Sequence, residues 1–239
     1  MNEKNLGANQ LLCLLQLASP TLPVGAYSYS EGLEILVARG KIYDYETLKI
    51  WLENCLNFGA IRLETALMIR AYRANSLGNL EALSNWNNWA TAAKETEELR
   101  LQSLQMGRTL IRLFININME LDLQIQIVSF IQEQLKTEPD FCNLAIAFGI
   151  IASHWQIESE AAILGYLHSW ATNLVNAGVK LIPLGQTIGQ KLLLGVQNQI
   201  ISTSKEVIQL KDDELNSCSW GLSLASMAHE TQYTRLFRS

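Results

Sequence analysis

The stretch ATNLVNAGVKLIPLGQTIGQKLLLG, residues 171–195, decides the fold class. Ala171, Leu174, Gly178, Leu181, Gly185, Ile188, Leu192 and Gly195 follow one another at intervals of three and four residues, the spacing at which positions return to one face of a helix. Small residues alternate with large ones along that face, so a second backbone can come close. Pro183 interrupts the pattern. Because proline lacks an N–H and clashes with the preceding turn, the segment is expected to form two helices or one kinked helix. A tightly packed central hairpin and a binding groove are both compatible with such a stripe.

The same period recurs at Leu101, Leu104, Gly107, Ile111 and Phe114, beside the solvated Arg100, Gln102 and Arg108. With only 4 prolines and an abundance of Leu, Ala, Ile, Glu and Gln, long helices joined by short breaks are the natural organisation. Residues 121–127, LDLQIQI, alternate as a strand would, but no partner strand is evident. Breaks are expected at residues 75–79, 116–118, 136–140 and 202–204. No repeat or long linker divides the chain. The expectation is an all-α fold, a single-domain bundle of about eight to ten helices across residues 1–239.

Composition narrows the function classes. A hydrophobic fraction of 49% in 239 residues supports a substantial core without staples. Cys13, Cys55, Cys142 and Cys218 form no CxxC pair, which argues against a zinc site or a disulfide framework and for a reducing cytoplasm. Residues 1–10 lack a signal pattern, and no apolar run is long enough to span a membrane. A net charge of -5 offers no basic field for nucleic acid. No nucleic-acid partner and no membrane partner are expected.

Residues 19–34, SPTLPVGAYSYSEGLE, are the most constrained part of the chain. Pro20 and Pro23 end a first helix near Ala18. Ser28 and Glu31 match a capping box, which predicts a second helix from about Tyr29 to Arg39 with Gly40 just beyond its end. Tyr27 and Tyr29 have two readings, packing with a satisfied hydroxyl or a contact surface.

Groups that carry chemistry are sparse. His154 and Glu158 lie one turn apart and read as a surface pair before a metal site, and His168 reads as a partly buried packing residue. Asp212, Asp213 and Glu214 resemble half of a magnesium-diphosphate site but have no matching cluster. They support the alternative of an all-α metal-dependent hydrolase or prenyl-type enzyme. A third reading is direct metal relay through His154, His229 or a cysteine. No phosphate loop, GxSxG elbow or HExxH helix occurs, so the chain is not expected to be an enzyme. Glu95, Glu97, Glu98, Arg100, Arg108 and Arg112 read as a solvated face or a contact surface. The tail, residues 227–239, concentrates Tyr233, Arg235, Leu236, Phe237 and Arg238 at a chain end. That composition favours docking onto the body or onto a partner.

The blocks LLQLASP (residues 14–20), LPVGAYSYS (22–30) and HETQYTRLFRS (229–239) resemble the urease accessory protein F family. ET at 95–96, ELR at 98–100, MGR at 106–108, AFG at 147–149, PLGQ at 183–186 and GQ at 189–190 extend the resemblance along essentially the whole chain. The resemblance implies an all-α homodimer without catalytic activity or a tightly bound cofactor. Similar proteins stand between the accessory protein called D or H and the GTPase called G, help deliver nickel to apo-urease, and have been proposed to govern GTP hydrolysis. It makes Tyr27, Tyr29, Glu34 and the tail residues Tyr233, Arg235, Leu236, Phe237 and Arg238 candidates for contact with the D/H protein. Lys180 and Gln186 are candidates for the dimer or GTPase surface. Lys180 stands where the family commonly has arginine, which loses the planar fork. Glu31 replaces a frequent glutamine. Cys142-Asn143-Leu144 stands where relatives often carry His-Pro, so no histidine role extends to that block.

Overall fold

The computed structural model describes residues 7–120, 126–137, 141–217 and 220–238, with the side chains of 118–120 and 126–128 excepted. The alternating stretch centred on residues 121–125 lies outside them, as do Cys218 and Ser239. Among the described residues the regular structure is all helical, with no strand: α1 (Ala8–Leu17), α2 (Leu33–Ala38), α3 (Tyr45–Phe58), α4 (Ala60–Ser76), α5 (Leu80–Ala92), α6 (Glu97–Glu120), α7 (Gln126–Thr137), α8 (Leu144–His154), α9 (Ser159–Leu181), α10 (Gln186–Gly195), α11 (Gln197–Val207) and α12 (Trp220–Glu230). Two 3-10 turns, Ala26–Ser28 and Asp212–Glu214, complete it. No described helix is long and apolar enough to cross a membrane.

The centre is α8, whose residues from Ala145 to Ala152 are all buried. A helix apolar on every side has to be surrounded, and α4, α6, α5 and α9 pack around it. Gly149 makes the α4 contact possible: a Cβ there would stand 2.3 Å from the Met68 carbonyl oxygen. Gly107 does the same for α6, where a Cβ would stand 2.3 Å from the Cys142 carbonyl. Beside this centre, α9 and α10 form the hairpin expected around Pro183, as two helices. Gly178 of its stripe faces Leu48, and Gly189, outside the stripe, faces Val179.

Twelve α-helices among the described residues exceed the eight to ten expected, and the excess has a local cause. α3 and α4 meet at Gly59, and α10 and α11 meet at Val196, each with one intervening residue and no loop composition to mark it. Elsewhere a break was expected and the helix continues, with α6 running through residues 116–118 and α11 through 202–204. Asparagine and serine are tolerated there because tertiary packing outweighs their weak helix propensity. The break at 75–79 occurs as expected; of the one expected at 136–140, residues 136 and 137 belong to α7 and residues 138–140 lie outside the described residues.

The opening stretch departs from its expected form. α1 stops at Leu17, and Gly40 sits past α2 with φ +64, both as expected. The Ser28/Glu31 capping box does not form. Ser28 closes a 3-10 turn, Glu31 and Gly32 take φ values of 51° and 77°, and the helix starts only at Leu33. Two consecutive left-handed residues cannot belong to a right-handed helix. They turn the Glu31 side chain inward, where its Oε2 accepts from Trp170 Nε1 at 2.9 Å.

Candidate functional site

Past α12 the chain folds back as a strap, and one carboxylate holds its last residues. Glu34, in the first turn of α2 and only 7% exposed, accepts the Leu236 N–H on Oε1 at 2.6 Å and the Phe237 N–H on Oε2 at 2.9 Å. The next amide, Arg238 N–H, donates to the Ser28 carbonyl at 2.8 Å. Gly32 brings the two elements together: a Cβ there would stand 3.1 Å from the Ala225 Cβ on α12. Charge-assisted bonds of this kind are about twice as strong as neutral ones.

A second acid holds the base of the strap. Glu98, near the start of α6, accepts from the Arg235 guanidinium on Oε1 and faces His229 Nδ1 at 2.8 Å through Oε2. Arg235 also donates to the Glu230 and Gln232 carbonyls. The Phe237 ring is buried, with Lys180 Nζ 5.7 Å from its centroid, a cation–π geometry. The Tyr233 and Leu236 side chains point to solvent. On α12 itself Trp220, Leu224 and Met227, spaced four and three apart, are exposed along one face.

Beside the strap lies a cavity of about 240 Å³ whose wall includes Tyr27, Glu31, Glu64, Lys94, Lys180 and Gln186. Glu64 pairs with Lys94 and accepts from the Tyr166 hydroxyl at 3.3 Å. Burial, reinforced by the Glu64 charge, pushes the Glu31 carboxyl up to about 7. Burial and the neighbouring acids also hold the Tyr166 hydroxyl well above its ordinary range. Glu31 thus changes charge near neutrality inside a largely apolar wall.

The structure divides the candidate residues into two groups. Glu34, Arg235, Phe237 and Lys180 come together at the strap, with the Arg238 backbone. Tyr29 is buried and its hydroxyl donates to Gln105 Oε1 at 2.9 Å, whereas Tyr27 is exposed two residues away. Gln186 opens α10 and is exposed on the cavity wall. Several expectations are overturned. His168 is exposed, not a packing residue. His154 stacks edge-on against Phe114 at 5.1 Å and is half-buried, not a surface pair with Glu158. Asp212 is taken by Arg70, whose Nε donates to Oδ1 at 2.7 Å, so the acidic run pins the segment after α11 to α4. Among the described residues no group of three or more His, Cys, Asp or Glu could hold a metal ion. Burial raises the Cys55 and Cys142 thiols above their ordinary range. Sequence reasoning named His229 as a metal-relay candidate and Glu98 as part of a charged face, and missed that the fully buried His229 pairs with Glu98. The only available signal was the clustering of acids at residues 95–98 against arginines far along the chain.

A family model described as UreF matches residues 42–197. The urease accessory protein UreF of Nostoc sp. is 56% identical over 239 residues, covering 100% of both chains. That of Synechocystis sp. is 51% identical over 98% of this chain and 100% of its own. The protein of the same name from Methylobacillus flagellatus is 38% identical over 97% of this chain and 99% of its own.

Proposed function

The chain belongs to the UreF family of urease accessory proteins, which are not enzymes, and from that premise we propose that it is the scaffold of nickel-dependent urease maturation. In this reading it works in the cytoplasm as a homodimer, bridges the D/H accessory protein and the GTPase G, and helps to time GTP hydrolysis. Nickel is cargo of the complex on its way to apo-urease, with no cofactor held by this chain. The observation that carries the reading is the strap. Its backbone is held from within by Glu34 at Leu236 and Phe237 while the Tyr233 and Leu236 side chains face outward, and Trp220, Leu224 and Met227 of the preceding α12 are exposed as well. Aromatic and aliphatic groups on a held backbone lose little entropy on binding, which suits contact with the D/H protein. Lys180, over the Phe237 ring, and Gln186, on the cavity wall, are assigned to the dimer or GTPase surface.

Removal of residues 231–239 tests this. The shortened chain is expected to keep its helical content and to lose capture of the D/H protein in a pull-down with purified partners. Undiminished capture would overturn the assignment. With the strap intact, Tyr233→Ala is expected to weaken the complex by about 2 kcal/mol or more if Tyr233 is an anchor, and a loss below about 0.5 kcal/mol would make it an ordinary surface residue.

A further inference from the structure

His229 is fully buried in α12, between the two carboxylates that hold the strap. Nδ1 lies 2.8 Å from Glu98 Oε2 and Nε2 lies 3.5 Å from Glu34 Oε2. A neutral imidazole has one N–H, so one of its nitrogens would turn a lone pair toward a carboxylate oxygen. The imidazolium form donates to Glu98 through Nδ1 and sets its charge 3.5 Å from Glu34, although Nε2 itself makes no hydrogen bond. The charge balance agrees. Glu34 from α2 and Glu98 from α6 carry two negative charges, and Arg235 from the strap supplies one positive charge. Of the remaining charged groups nearby, Glu230 of α12 points its Oε1 at the Glu98 N–H, and Lys180 of α9 lies over the Phe237 ring. A second positive charge on His229 makes the set neutral. Its loss leaves an uncompensated carboxylate where charge is least tolerated.

We propose that His229 is a proton-operated latch for the C-terminal strap: as imidazolium it ties Glu34 to Glu98 and keeps residues 235–238 docked, and loss of that proton frees them. The sign follows from the contacts. Docking favours the protonated ring, so the strap is held on the acid side of the ring's titration and loosened as pH rises through it. The latch is intramolecular and stands whether or not a partner binds the strap.

Hydrogen exchange on the full chain tests it, with each amide rate divided by its intrinsic rate at that pH. Protection of the Leu236 and Phe237 amides is expected to fall about tenfold or more across the pH range in which the His229 ring resonances titrate, the effect of losing a charge-assisted hydrogen bond. His229→Gln is expected to show the low protection at every pH, with the α4 and α8 amides unchanged. Glu31→Gln controls for the Glu31 carboxyl, raised to about 7, and is expected to retain the transition. The proposal is overturned by strap protection that stays constant while the ring titrates, or by a ring that does not titrate between about pH 5 and 9. A transition lost in Glu31→Gln would also overturn it. Should His229→Gln fail to protect α4 and α8, the unsubstituted chain alone decides by the first of these criteria.

Discussion

The α4–α8 contact and the strap are two solutions to holding backbone against backbone. At the first, glycine removes the side chain that would keep the helices apart, and the contact is apolar. At the second, Glu34 accepts two successive amides, and Glu98 with His229 and Arg235 surrounds the base. The first kind of contact is insensitive to pH and spread over many atoms. The second is concentrated in a few charges and can open without disturbing the rest. A body of the first kind carrying an edge of the second is suited to presenting a segment to other proteins.

The largest expected break falls in the body. Gly149→Ala places a Cβ against the Met68 carbonyl at 2.3 Å, which the helices relieve only by separating. The expected loss is about 3 kcal/mol of unfolding free energy, measured by denaturant titration, with the slope unchanged. Next comes the buried acid beside the strap. Glu31 has its carboxyl raised from 4.5 to about 7, so the folded chain holds a proton that the unfolded chain releases. Stability is therefore expected to fall as pH rises between those values, by about 1–3 kcal/mol. Glu31→Gln should flatten that slope, read from unfolding curves across the range.

Smaller, and confined to the edge, is Glu34→Gln. The amide offers one acceptor oxygen in place of two, and its NH2 group faces an N–H. Strap protection is expected to drop by the equivalent of about 2 kcal/mol, while the global unfolding midpoint moves little. Equal losses at the strap and at α8 would erase the distinction between the two regions. The smallest effect is expected at Tyr27→Ala. This exposed residue should change stability by less than about 0.5 kcal/mol, so any larger effect in a pull-down reports on contact with a partner.

Much of the fold was legible because helix periodicity and backbone chemistry act locally. The three-and-four spacing from Ala171 to Gly195 with Pro183 inside it announced α9 and α10, and Pro20 and Pro23 announced the end of α1. The junctions at Gly59 and Val196 were not legible, because a single-residue hinge leaves no stretch of loop composition. The α2 start was misread for a different reason: Ser28 and Glu31 satisfy a local capping rule, but the inward pull of Trp170 on Glu31 overrides it. Of the candidate site, the tail and Glu34 were visible as a family-like motif and an odd composition. Their pairing was not, since 202 residues separate Glu34 from Leu236.

By itself the sequence determined that the chain is helical, where proline and glycine stop its helices, and that its last residues are rich in aromatic and arginine side chains. Those properties depend on neighbours within a turn or two. Only the tertiary structure decided that Glu34, Glu98 and His229 meet, and that Glu31 is buried beside Glu64. The charge and proton affinity of a carboxylate depend on what surrounds it, and here those surroundings come from distant parts of the chain.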